Sequence, residues 1–141
     1  MWKTERYRNE WKYLIDTAQK EAICSRLSPV MQLDPHAEGG GYTLRSLYFD
    51  DYFHSAYAEK EAGILLRKKY RIRIYNYSDK SIKLERKKKT GSYIYKESAN
   101  LTRQQFYQIL DGDYGFLLAS DQPLCREFYY ECVSNVMRPQ T

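Results

Sequence analysis

The chain has 141 residues, 43% of them hydrophobic and 29% charged, which suits one domain with a single core and excludes a disordered chain. Its formal net charge of +5 is unevenly spread: between Arg67 and Lys89 lie 11 of the 23 basic residues and only two acids, Asp79 and Glu85, so that stretch carries +9 and the remainder −4. No apolar run reaches the length of a membrane span, and residues 1–13 are too polar for a secretion signal, so a cytoplasmic chain is expected.

Residues 7–15 alternate as a first strand, with Arg8, Glu10, Lys12 and Leu14 on one face. Asp16 then caps a helix, with Gln19 at the capping-box position and Ala18, Ala22, Ile23 and Leu27 as its apolar face; Pro29 lies just past its end. Gly39, Gly40 and Gly41 read as a loop. A second strand spans residues 42–50, and a short helix or turn spans 52–61, ended by Gly63. Residues 65–77 form a long strand, Ser78, Asp79 and Lys80 a hairpin turn, and residues 81–89 the returning strand. Thr90 and Gly91 turn the chain again into a strand over 92–99. Thr102 opens a helix with Gln105 as its capping-box partner and Leu101 and Phe106 at hydrophobic-staple positions; Gly112 ends it. A last helix begins near Ser120 or Gln122, with Pro123 in its first turn, and runs to Asn135. About five strands and three helices, with hairpins at the centre, make an α+β fold built on an antiparallel sheet.

Cys24, Cys125 and Cys132 show neither metal-ligand spacing nor an even-numbered disulfide framework, and read as reduced, packed thiols. His36 and His54 stand apart from each other and from the cysteines, which argues against a zinc site.

The chemistry concentrates in the long strand. Side chains alternate faces, so Arg67, Lys69, Arg71, Arg73 and Tyr75 share one face while Tyr70, Ile72 and Ile74 form a core face. Same-face neighbours lie ~6.6 Å apart, too close for unpaired cations in a dry interior. An anion is expected among them, and phosphate suits the two-pronged guanidinium. On the returning strand Lys83, Glu85, Lys87 and Lys89 share one face and can line the same cleft. Glu85 would stand among cations either as a salt-bridge partner or as a ligand for a divalent ion. Lys96 on the next strand can add a donor, and Glu10 and Lys12 share a face of the first strand.

Four segments together resemble a known family: Tyr7-Arg8-Asn9-Glu10-Trp11-Lys12-Tyr13, Ser46-Leu47-Tyr48-Phe49-Asp50, Arg67-Lys68-Lys69-Tyr70-Arg71-Ile72-Arg73-Ile74-Tyr75 and Leu84-Glu85-Arg86-Lys87. They resemble, in order and across nearly the whole chain, the VTC domain, the polyphosphate polymerase domain of the triphosphate tunnel metalloenzyme (CYTH) superfamily. The resemblance implies a basic β-barrel tunnel and a divalent ion, Mn or Mg. The implied reaction moves the γ-phosphate of a nucleoside triphosphate onto a polyphosphate chain. Matched by motif, Lys12, Arg71, Arg73 and Lys87 are the expected catalytic phosphate ligands. Lys96 joins Arg67 and Lys69 as substrate-binding, and Glu10 and Glu85 are the candidate metal carboxylates.

The family's tunnel continues with further strands, so residues 1–141 are expected to be the N-terminal part of such a domain and inactive alone, with open sheet edges inviting self-association. Two other readings use the same cleft. One is a non-catalytic module binding polyphosphate or an inositol polyphosphate. The other, ranked third, is a single-stranded nucleic-acid binder using the 15 tyrosines for stacking, although no RRM or KH signature is present. DNA is not an expected partner. The glycine run lacks the Lys-Ser/Thr of a P-loop.

Overall fold

The central strands bury one face and leave the other lined with charge, as their alternation predicts. The computed structural model describes residues 6–35 and 37–140; the expectations for residues 1–5, His36 and Thr141 fall outside them. In chain order the elements are β1 (Arg8–Asn9), α1 (Thr17–Leu27), a 3-10 turn (Glu38–Gly40), β2 (Leu44–Asp50), α2 (Ser55–Glu61), β3 (Leu66–Tyr75), β4 (Ser78–Thr90), β5 (Tyr93–Leu101), α3 (Arg103–Asp111), α4 (Gly115–Leu118), α5 (Pro123–Ser134) and β6 (Arg138–Gln140). The strands form one sheet in the order β1-β5-β4-β3-β2-β6, and every neighbouring pair is antiparallel. The fold is α+β, as expected. Among the described residues the sheet is open, with β1 and β6 at its edges, and no helix is long and apolar enough to cross a membrane.

One sheet face carries the core. Phe49, Tyr70, Ile72, Ile82, Leu84, Ala99 and Leu101 are buried against Ile109 of α3, Leu117 of α4 and Leu124, Cys125, Phe128 and Cys132 of α5. The ring of Phe128 stands 5.2 Å from those of both Phe49 and Tyr70, centroid to centroid, so α5 is seated on the middle of the sheet by aromatic contact.

Local signals hold where their partners are local. Asp16 and Gln19 exchange both capping-box hydrogen bonds at 2.7 and 2.9 Å, and Thr102 and Gln105 do the same at 3.1 and 2.9 Å. Gly112 ends α3 at φ 82°, a left-handed position that suits a residue without Cβ. The first strand is a correction. It pairs only at Arg8 with Ile94 and Asn9 with Tyr93, because β5 begins at Tyr93 and the next partner, Ser92, already lies in the turn. Residues 10–15 therefore run on without a ladder. The hairpin turn is another correction. Asn76 and Tyr77, not Ser78 to Lys80, make the turn between Tyr75 and Ser78. Both have positive φ, 51° and 55°, which a two-residue hairpin of matching twist requires. Tyrosine seldom adopts that conformation, but Asn76 is pinned to Thr43: its backbone N–H donates to the Thr43 carbonyl at 2.8 Å, and its side-chain Oδ1 accepts from the Thr43 N–H at 2.9 Å. The next turn likewise falls one residue later than expected, at Gly91 and Ser92, between paired Thr90 and Tyr93.

Helix α1 buries none of its residues, so its apolar face covers no core, and Cys24 is exposed while Cys125 and Cys132 are buried. Helix α4 and strand β6 complete the fold beyond the expected elements; β6 pairs with β2. Asp50 ends β2 and anchors α2: its carboxylate accepts from the backbone N–H of Asp51, Ala56 and Tyr57 at 2.9, 2.9 and 3.1 Å.

A cation also enters the core. Arg86 is 3% exposed; its Nε donates to Glu97 at 2.6 Å, and its Nη1 donates to the Tyr70 hydroxyl at 3.1 Å and to Glu127. Burial pushes the Tyr70 phenol up to about 12. Removing one member of a buried ionic cluster leaves its partners uncompensated. Arg86→Ala is therefore expected to lower unfolding stability by about 3 kcal/mol, read from urea denaturation monitored by circular dichroism, whereas Arg45→Ala on the sheet's rim is expected to stay within about 0.5 kcal/mol of the parent.

Candidate phosphate-binding cleft

The face opposite the core is the basic one. The register of β3 and β4 sets Arg67 opposite Lys89, Lys69 opposite Lys87, Arg71 opposite Glu85 and Arg73 opposite Lys83. On the far side of β4, Lys87 faces Lys96 of β5. Like charges placed directly across a ladder repel, so three of these four β3–β4 pairs are unfavourable in the absence of an anion.

At one end of this face the sheet, the segment after β1 and helix α2 enclose a cleft of about 480 Å³. Arg67, Lys69, Lys87 and Lys89 form its floor, Trp11 and Lys12 one wall, and Lys60 of α2 joins them. With Glu10 the lining holds six cations and one carboxylate. Lys60 carries no sequence signal; only the packing of α2 beside β3 brings it here. Lys89 shares the expected face of β4 but was not among the expected ligands. Arg71 and Arg73 lie farther along the same face, outside this lining, and Lys96 approaches through Glu10.

The two carboxylates on the face are engaged by cations. Glu10 accepts from Lys87 Nζ at 2.7 Å and lies 3.9 Å from Lys96 Nζ. The hydrogen bond from Lys87 holds the Glu10 carboxyl below the ordinary glutamate range. Glu85 accepts from Arg71 Nε at 2.6 Å and lies 4.0 Å from Arg73 Nη1. Among the described residues no three His, Cys, Asp or Glu side chains come together, and Glu10 and Glu85 belong to separate ion-pair groups. These residues alone do not fit a divalent-ion site.

The lysines are tuned downward. Burial, then the charge of nearby Lys60, lowers the pKa of Lys69 from its ordinary 10.5. Burial, then Lys87, lowers that of Lys96. For Arg71, burial opposes the charge, but hydrogen bonds with Tyr48 and Glu85 outweigh it and leave the guanidinium more firmly protonated than usual. The same contacts let Arg71 pull the Tyr48 phenol below its ordinary range, against the opposing effect of burial. The face thus carries mainly flexible ammonium groups at one end and fixed guanidinium forks at the other.

A family model described as VTC domain matches residues 7–141. No curated protein matches the chain.

Affinity for tripolyphosphate is expected to fall as pH rises toward the ordinary lysine value of 10.5, and to begin falling before an unperturbed lysine would titrate, because deprotonation of Lys69 and Lys96 removes positive charge from the face. Lys69→Arg keeps its charge at that pH and should flatten the decline in a calorimetric titration series.

Proposed function

Because this chain belongs to the VTC domain family, we propose that its basic face takes a linear phosphate chain, polyphosphate or the triphosphate of a nucleotide, and presents the γ-phosphoryl group for transfer to a polyphosphate end. The observation that carries the proposal is the register: in three of the four cleft-face pairs of β3 and β4 cation stands opposite cation, an arrangement that a linear polyanion relieves. Membership of the family is consistent with a polyphosphate-related role.

In the proposed step a terminal oxygen of the polyphosphate forms a bond to the γ-phosphorus. The bond from that phosphorus to the β,γ-bridging oxygen breaks, and nucleoside diphosphate leaves. This chemistry asks the protein for alignment and charge neutralisation more than for covalent participation. Lys12, Arg71, Arg73 and Lys87 are assigned to the reacting phosphates, and Arg67, Lys69 and Lys96 to the rest of the chain. The guanidinium forks favour phosphate oxygens taken two at a time. A nucleic acid spaces its phosphates farther apart and adds bulky bases, so single-stranded RNA fits the cleft less well.

The test is binding, then turnover. Polyphosphate should bind this chain in EDTA, weaken with added salt as counterion release declines, and outcompete RNA of equal total charge. Arg71→Ala with Arg73→Ala should weaken binding by about a hundredfold, the loss of two charge-assisted contacts. Unchanged affinity in the double variant overturns the assignment of the basic face, and preference for RNA moves the nucleic-acid reading ahead. Polyphosphate formation from ATP, assayed on the protein as its gene encodes it and abolished by Lys12→Ala, tests transfer. Tight binding without turnover favours a polyphosphate- or inositol-polyphosphate-binding module instead.

A further inference from the structure

A carboxylate in the middle of an anion-binding face works against the anion, unless it does something else. Glu85 stands directly across from Arg71 in the β3–β4 ladder. Its Oε2 accepts from Arg71 Nε at 2.6 Å, and the same oxygen lies 4.0 Å from Arg73 Nη1. Two hydroxyls of β2 complete the arrangement: Arg71 Nη1 donates to Tyr48 Oη at 3.3 Å, and Arg73 Nε donates to Ser46 Oγ at 3.0 Å. Each guanidinium is therefore held by its Nε–H, the donor nearest the chain, while further N–H groups of the fork stay outside these bonds. The side chains of Arg71, Arg73 and Glu85 are 16%, 18% and 19% exposed, so these long side chains are fixed in place.

We propose that Glu85 is a positioning residue: with Ser46 and Tyr48 it locks Arg71 and Arg73 side by side so that their outer N–H groups meet consecutive phosphates. The inference rests on the phosphate-binding reading above and assigns Glu85 to the arginines in place of a metal. The physical case lies in the balance of two effects. Without Glu85 the two guanidinium groups, on the same face of one strand ~6.6 Å apart, repel each other and regain rotamer freedom, which must be lost again on binding. Against this, removing one negative charge makes the face more attractive to any polyanion. A glutamate that merely offsets charge would be replaced with a gain in affinity; one that positions arginines would be replaced with a loss.

The experiment exploits that opposition of sign. Tripolyphosphate affinity is measured by calorimetry in EDTA for the parent, Glu85→Gln, Ser46→Ala, Arg71→Ala and the Glu85→Gln, Arg71→Ala pair, each checked for an unchanged melting transition. Glu85→Gln is expected to bind about tenfold more weakly despite its added positive charge, the change that one charge-assisted hydrogen bond accounts for. Ser46→Ala, acting only on Arg73, should weaken binding by a smaller factor and supplies the reading if Glu85→Gln proves unstable. In the Arg71→Ala background the Glu85→Gln penalty should shrink by at least half, because part of its target is gone. Tighter or equal binding by Glu85→Gln overturns the proposal, as does a penalty unchanged by Arg71→Ala or one that emerges only when Mn is added. The phosphate-binding reading of the basic face itself fails separately, through undiminished binding in the Arg71→Ala, Arg73→Ala double variant.

Discussion

Strands β3 and β4 lie side by side with Arg67 against Lys89, Lys69 against Lys87 and Arg73 against Lys83, and it is the other face of the same strands that keeps them together. Tyr70, Ile72, Ile82 and Leu84 are buried there under α5 and its neighbours. Each of these side chains contributes roughly 1.5–3 kcal/mol on burial, more than the repulsion of a half-screened cation pair across a ladder. A one-residue slip of register would place the lysines in the core and the isoleucines in the cleft, so the hydrophobic face fixes where every cation stands. The site is thus a by-product of how the core is packed.

The two faces also differ in how they treat charge. On the core side, Arg86 is surrounded by Glu97, Glu127 and the Tyr70 hydroxyl, and its charge is satisfied within the protein. On the cleft side, Glu10 and Glu85 meet four cations between them, and the remaining lysines and Arg67 outnumber the acids. The first arrangement stabilises a closed structure; the second leaves an unmet demand for negative charge, which is what a binding face for phosphate needs. Glu85 links the two habits, being an internal counter-ion on the face proposed above to take an external anion.

Around this centre the peripheral pieces divide by what they have to pack against. Helix α2 is anchored by the Asp50 carboxylate at its first turn and brings Lys60 over the cleft. The segment after β1 brings Trp11 and Lys12 to the same cleft, although its ladder ends at Asn9. Helix α1, well capped by Asp16 and Gln19, finds no core within the described residues. Capping specifies that a helix forms but not where it docks.

The sequence by itself determined what depends on neighbours in the chain. The two-residue alternation of residues 67–75 and 82–89 separated cleft from core, and the capping residues Asp16 and Thr102 marked two helix starts. The four motifs pointed to the VTC domain, which the family match bears out. Tertiary structure decided whatever needed a distant partner. Arg86 could be assigned to the core face by alternation, but its partners Glu97 and Glu127 lie 11 and 41 residues away, so nothing local announces that its charge is satisfied. The first strand stops at Asn9 because β5 offers no further partner, and the turn settles on Asn76 and Tyr77 because Thr43, just before β2, holds Asn76. Lys60 reaches the cleft only through the docking of α2. Alternation and capping are short-range effects, written within a few residues; ion-pair partners, ladder ends and cleft walls arise from contacts that exist only once the sheet has closed over its core.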